Sequence, residues 1–262
     1  MEEQLIDCHA HLVSEGVEAQ PIINSMQQNN LQAIVCVGTA PWDIKKVVKL
    51  ANENKNIFAA IAFHPEYVEQ IKDADFELLE ELIKNSKVVA LGECGLDYHY
   101  NQDNKQAQIK LLEKQIEIAV KMQKPIMLHI REAEEDAIKT LLPHAKKLKD
   151  IIVHCYSSVS EEITKKFIEM GAYISFAGNF TFKKYRRQDI KLIPKDKILV
   201  ETDAPYLSPE PLRGTQNSPK NVHITAQRMA DVLEMNVDEL KKILTENAKR
   251  VFGIWNLNTK NR

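Results

Sequence analysis

Eight short apolar, β-rich segments recur along this chain: QLIDCH, AIVCVG, IFAAIAF, VVALGE, PIMLHI, IIVHCY, AYISFA and KILVET. Between them run stretches with helical periodicity, at 42–54, 76–85, 106–122, 133–142 and 161–170. Within 106–122, Ile109, Leu112, Ile116, Ala119 and Val120 recur at three- and four-residue steps, which marks one buried face. The stretch 183–192 is polar and reads as a short irregular helix. Alternating strands and helices call for parallel crossovers, and eight repeats close into a single-domain (β/α)8 TIM barrel. An open doubly wound sheet is the rival, but it would scatter along an edge the residues that a barrel brings together.

Those residues are six of metal-ligand type, each placed where a strand segment runs out: His9 and His11, Glu93, His129, His154 and Asp203. A parallel barrel gathers the C-terminal ends of its strands on one face, where active sites of that fold are built. Imidazoles with carboxylates suit a catalytic divalent metal, provided a position stays open for water. A lone strand histidine is usually packed or solvated; six such residues in register with the strand ends are not explained that way.

His9 and His11 are two apart in a strand, so both project to one side and can clamp one ion. His129 and His154 come from different strands and can hold a second ion. Glu93 lies between these groups in barrel order, where a carboxylate can bridge. Asp203, on the strand beside the first, is placed to bind the first ion and to take a proton from water. Two ions about 3.5–4 Å apart would activate water and stabilise charge on the attacking and leaving oxygens. Imidazole-rich coordination favours zinc, manganese, cobalt or iron over an all-oxygen magnesium site.

The chain has 262 residues, 44% hydrophobic and 27% charged, a profile of a globular protein. Its formal net charge of −2 gives no global footprint for duplex nucleic acid, which leaves local basic patches. The opening MEEQLIDCHAHL is acidic and enters a strand at once, unlike a signal peptide. No apolar run approaches the roughly 20 residues a membrane helix needs, so a cytoplasmic protein without membrane contact is expected. Cys8, Cys94 and Cys155 each adjoin a ligand, and alternation turns them outward to the helix layer. With Cys36 they read as small packing residues in a reducing compartment. After the eighth strand, APYLSPEPLRGTQNSPKN reads as an irregular surface loop, followed by helices at 224–233 and 237–252 with Asn236 as N-cap.

The HxH pair at 9–11, with His129, His154 and Asp203, resembles the amidohydrolase superfamily. Within it GECGLDY (92–98), HIRE (129–132), HCYS (154–157), VETDAPYL (200–207), RGTQNSP (213–219) and AFHP around His64 are similar to the TatD-type deoxyribonucleases. The likeness runs from the first strand to the final helix. Where many hydrolytic relatives place a carboxylated lysine on strand four, this sequence has Glu93, as the TatD type does. The resemblance implies a metal-dependent nuclease acting on phosphodiester bonds of DNA, as a 3′–5′ exonuclease on single-stranded or frayed ends. It implies a monomer with two divalent ions (zinc, magnesium or manganese) on His9, His11, Glu93, His129, His154 and Asp203. Glu93, Asp203 and His64 would then be catalytic, with His64 contacting substrate or the attacking water.

Secondary candidates surround this set. Arg131 shares parity with His129 and can bind phosphate in bidentate fashion; an ordinary rim salt bridge, for example with Glu132, is the alternative. Lys183, Lys184, Arg186 and Arg187 form a basic run interleaved with Phe180, Phe182 and Tyr185, the composition that holds single strands. Arg213 and Asn217 are candidates for further phosphate contacts. Glu201 shares parity with Asp203 and reads as a structural carboxylate rather than a ligand. His99, His144 and His223 fall off the ligand pattern and read as surface residues. The rival function is an amide, lactone or deaminating hydrolase on the same scaffold, because fold alone does not fix function. Glu93 and the basic, aromatic rim favour the nuclease.

Overall fold

The computed structural model describes residues 3–99, 103–157 and 160–255. Its strands are β1 Leu5–Ala10, β2 Leu31–Gly38, β3 Ile57–Ile61, β4 Val88–Asp97, β5 Ile126–Arg131, β6 Ile151–Val153, β7 Tyr173–Phe176 and β8 Ile198–Val200. They form one sheet in chain order, each pairing in parallel with the next. The ring closes just beyond β8, where the Asp203 amide donates to the His9 carbonyl (2.9 Å) and the His11 amide to the Ala204 carbonyl (2.7 Å). The expected (β/α)8 barrel is therefore the fold.

The helices are α1 Ala19–Asn24, α2 Ile44–Glu53, α3 Asp73–Leu82, α4 Lys105–Met122, α5 Glu134–Leu141, α6 Glu161–Glu169, α7 Val222–Leu233 and α8 Val237–Phe252. Six follow the expected stretches to within a few residues, and α8 begins as read: Asn236 accepts from the Asp238 and Glu239 amides at 2.9 and 3.2 Å. Helix α1 has no sequence signal because it is one and a half turns long and buries no residue. The polar stretch after β7 becomes a 3₁₀ turn over Arg187–Leu192.

Two apolar layers sandwich the strands. The outer joins strands to helices through residues such as Leu5, Ile34, Leu112 and Leu244. The inner fills the barrel with Ile6, Cys8, Val35, Met127, Tyr173 and Leu199, joined by Phe252 and Ile254 from the chain's end. Cys94 and Cys36 pack in the outer layer as expected. Cys8 does not: it belongs to the inner layer, because the β1–β2 register shifts between Asp7 and Ala10 and breaks strict alternation. The same kind of shift separates Leu91 from Cys94 where β4 meets β5. Cys155, just past β6, is half-buried near Asn179 rather than packed in the core.

Candidate metal centre

The barrel's C-terminal ends bring the six ligand-type residues together, and irregular backbone aims them. The β1 register shift leaves His9 and His11 both facing the mouth above Ile6 and Cys8. On β4, Gly95 adopts φ +142°, and a Cβ there would lie 1.9 Å from the His129 carbonyl oxygen. Only glycine lets β4 run this close beside His129. His154 sits one residue past β6, and Asp203 three past β8 at φ 57°.

Glu93 is the hub. Its Oε2 lies 3.4 and 3.6 Å from the Nε2 atoms of His9 and His11, while its Oε1 lies 2.9 Å from His129 Nδ1 and 2.8 Å from His154 Nε2. Asp203 Oδ1 faces the same His9 and His11 nitrogens at 3.5 and 3.4 Å. Those two nitrogens are themselves 3.1 Å apart, and the His9 and His154 rings stack at 4.1 Å. Imidazole nitrogens converge on two carboxylates in three overlapping sets, His9 with Glu93 and His154, His9 with His11 and Asp203, and His64 with Glu93 and His129. Within each set the donor atoms lie within 4.8 Å of one another, which fits divalent metal.

The protonation pattern expresses that crowding. Burial alone would raise the Glu93 carboxyl, but His154, His129 and His9 reverse this and hold it well below the usual range. Asp203 is likewise held low against burial, by its hydrogen bond with His11 and the charge of His9. Burial, with His154 beside it, pushes His9 down. His11 is raised against burial by Asp203 and Glu93, and His129 by Asp97 and Glu93.

A surrounding layer fixes the ligands. His129 Nε2 is 2.9 Å from Asp97 Oδ2, a buried carboxylate four residues beyond Glu93 on β4. Glu201 Oε1 accepts from the Cys155 amide (2.6 Å) and faces His154 Nδ1 (3.2 Å), while Oε2 accepts from the Ser175 hydroxyl (2.5 Å). Glu201 thus orients a ligand without joining the cluster, as its parity suggested. Asp7 takes the Thr202 amide and hydroxyl at 2.9 and 2.6 Å, tying β1 to the segment that carries Asp203; burial pushes its carboxyl up to about 8. Met127 Sδ lies 3.2 Å from His9 Nδ1 and floors the site. Asp97 and Asp7 give no sequence signal beyond acidic residues inside apolar strands, a placement that demands partners.

His64, at the end of the AFHP segment, opens into the same mouth. Its Nδ1 accepts from the Glu66 amide (3.2 Å), so its proton resides on Nε2, which points at Glu93 Oε1 from 3.6 Å. Burial, reinforced by His129, lowers it to about 3. As a neutral imidazole it can donate that N–H to a substrate, and it also stands with Glu93 and His129 in a set of donors close enough to hold a metal ion.

The outer candidates divide. Arg131 is half-buried and in register with Asp97, at the rim between β4 and β5. Glu132 pairs instead with His99 (2.6 Å), so neither the suggested Arg131–Glu132 bridge nor a purely solvated His99 is what forms. His223 Nε2 bonds the Asn29 carbonyl at 2.8 Å, a structural contact rather than a solvated surface position. Lys183 and Lys184 are exposed, and Arg186 pairs with Asp189 at 3.3 Å. Arg187 is committed inward, donating to the carbonyls of Phe180 (2.8 Å), Thr181 (2.7 Å) and Phe182. Phe180 is fully buried in the outer core, and the Tyr185 hydroxyl donates to the Tyr156 carbonyl. The basic and aromatic run after β7 is thus partly a packing element. Arg213 is exposed over the Phe182 ring at 4.3 Å. Asn217 is not placed for phosphate: it is buried, its Nδ2 donates to the Thr202 carbonyl, and its Oδ1 accepts from Ser218 and Asn221, each at 2.9 Å.

Comparison with known proteins agrees along the whole barrel. The family model for TatD-related DNases matches residues 6–253. A Bacillus subtilis protein, the uncharacterized metal-dependent hydrolase YabD, is 36% identical over 254 residues, covering 95% of this chain and 99% of its own. The uncharacterized metal-dependent hydrolase YcfH of Escherichia coli is 32% identical over 259 residues, covering 95% and 96%. The crystal structure of YJJV, a TatD homolog from Escherichia coli, superposes with a TM-score of 0.90 at 25% identity, covering 95% of this chain and 98% of that one.

Proposed function

The chain belongs to the family of TatD-related DNases and is a metal-dependent hydrolase, and from that premise we propose that it cleaves phosphodiester bonds of DNA as a 3′–5′ exonuclease on single-stranded or frayed ends. The observation that carries this reading is the position of Glu93, one oxygen facing His9 and His11 and the other His129 and His154. Such a carboxylate suits two divalent ions, the first of which would be held by His9, His11, Asp203 and Glu93 and the second by Glu93, His129 and His154. Zinc or manganese match these donors better than magnesium does. When bound, the pair supplies Lewis-acid polarisation of the phosphoryl group and a water acidic enough to attack at neutral pH.

The chain's own residues supply the rest. Asp203, ionised and at the edge of the cluster, accepts the proton the water gives up. His64 offers its Nε2–H to a phosphoryl oxygen without bringing a full charge that would repel neighbouring imidazoles. Arg131, with Lys183 and Arg213 farther out, supplies cationic contacts for the phosphodiester backbone.

Metal-analysed protein should be offered end-labelled single- and double-stranded oligonucleotides alongside a small lactone and an amide. Stepwise shortening from the 3′ end, faster on single strands, supports the proposal. Turnover of the small carbonyl substrates with inert oligonucleotides overturns it.

A further inference from the structure

We infer that the exposed aromatic residues Trp42 and Tyr206, with Tyr67 between Trp42 and His64, form a stacking wall for one unpaired nucleobase beside the metal centre. The inference rests on the nuclease reading and names the part of the substrate that the protein grips. Trp42 follows β2, Tyr67 follows β3 and Tyr206 lies beyond β8, so Trp42 and Tyr206 rise from the strand ends that flank β1 at the mouth, with Tyr67 one strand farther round. Trp42 and Tyr206 are 51% and 57% exposed, and the only other exposed aromatic side chain in the described residues is Trp255, near the chain's end. Each is tied to a ring of the centre. Tyr206 stands 5.8 Å from His11 in edge contact; Trp42 stands 5.0 Å from Tyr67, which stands 6.2 Å from His64.

The turns that display these rings are well fixed. The Asp43 carboxylate accepts from the Thr39 and Ala40 amides, both at 3.0 Å, and from the Thr39 hydroxyl at 3.1 Å, setting the turn that carries Trp42. The Tyr206 amide donates to Asp203 (2.9 Å), and the Asn217 amide to Pro205 (3.0 Å). Rigid, solvated aromatic faces lose little entropy when a planar ring docks on them. Every base has such a π-face, and stacking is tolerant of sequence. In a duplex those faces are already covered, so the base must come from a single strand or frayed end. The stacking surface expected on the β7 side, where Phe180 is buried, thus lies across the mouth over β8, β2 and β3.

The experiment compares metal-loaded parent with Trp42→Ala, Tyr206→Ala and the double variant. The substrates are two single-stranded oligonucleotides, one natural and one abasic at the terminal nucleotide. KM for the natural strand should rise about ten- to a hundredfold on losing the wall, the scale of one base–aromatic stack, with kcat changing little. The abasic strand should show the higher KM already in the parent and lose little more in the variants. Trp42→Phe and Tyr206→Phe should restore most of the affinity. In a Trp255→Phe background Trp42 is the sole tryptophan, and a phosphorothioate-linked natural strand should quench it where the abasic one does not. Equal KM for both strands in the parent, or alanine variants matching the parent on the natural strand, overturns the wall alone. A parent that cleaves neither strand overturns the nuclease reading with it.

Discussion

Asp203 and His9 meet twice: the Asp203 amide donates to the His9 carbonyl at 2.9 Å, and Asp203 Oδ1 lies 3.5 Å from His9 Nε2. The contact that closes the barrel between its last and first strands is also a side of the metal centre. Asp7 reinforces that seam from below through Thr202. Closure and ligand placement are therefore one structural event, and separating their contributions needs substitutions that leave the backbone contact intact.

Asp203→Asn is such a substitution. The amide is isosteric and the backbone donor is kept, but Asn accepts no proton from water. Turnover of a chromogenic phosphodiester should fall by roughly 10²–10⁴-fold, the usual worth of general base catalysis. Far-UV dichroism should match the parent and metal content should be largely kept. A variant that holds its metal and turns over at the parent rate would show that another group takes the proton.

Metal should be a large part of this protein's stability because the site exists only when the strands are assembled. A ligand that binds the folded state alone adds about 2.7 kcal/mol at a roughly hundredfold excess over Kd. Chelation should accordingly lower the melting temperature by several degrees. Glu93→Gln, which removes the carboxylate shared by both histidine groups, should lower the metal stoichiometry and shrink the gap between loaded and chelated melting temperatures. An undiminished gap would relieve Glu93 of its bridging role.

Asp97 should act through His129. Removing an outer carboxylate that orients a ligating histidine typically costs 10–100-fold in metal affinity or activity, which is roughly what Asp97→Asn should do at neutral pH. The pH profile gives the sign of the effect. Against burial, Asp97 and Glu93 raise the metal-free His129 above its ordinary value, so protons compete for it at higher pH than for a free imidazole. Losing the Asp97 charge lowers that value, and the acid limb of metal binding should move to lower pH even as affinity on the plateau falls. A purely structural defect would weaken binding without moving the limb.

What could be read in the sequence follows from what repeats. Strand order and the convergence of the six ligand-type residues were legible because apolar segments recur and each such residue falls at a segment's end, a pattern independent of exact backbone path. Cys8 was misplaced because strict alternation fails at the β1 register shift, which no residue announces. Asp97 and Asp7 stayed hidden because their meaning lies in partners 32 and 195 residues away. The basic, aromatic run after β7 was legible only in part for a third reason: composition cannot tell a guanidinium facing solvent from one that, like Arg187, ties down three carbonyls.

Gly95 offers a test of backbone placement. A Cβ would lie 1.9 Å from the His129 carbonyl at a φ that side chains rarely adopt, so β4 must retreat from β5. Gly95→Ala should cost about 1–3 kcal/mol from overpacking, measured by denaturant unfolding of the chelated protein. Metal affinity should drop as well, since Glu93 and His129 sit on the two strands forced apart. Unaltered stability and metal content would mean that the β4–β5 contact is looser than it stands.

Lys183 and Lys184 are the exposed lysines of the β7 run, whereas Arg187 holds the loop and Arg186, although exposed, is paired with Asp189. Replacing both lysines with serine should weaken single-strand binding and flatten its dependence on log salt by about 1.4, or roughly 0.7 for each phosphate no longer neutralised. Turnover of a small chromogenic phosphodiester should survive, because neither side chain belongs to the metal centre. Arg187→Ala should behave differently: three backbone carbonyls lose their donor, so the melting temperature should fall before any nucleic-acid effect can be separated. If the lysine pair changes neither affinity nor salt slope while the fold is intact, the phosphate backbone does not run past β7. The cationic contacts would then have to come from Arg131 and Arg213, on either side of the mouth.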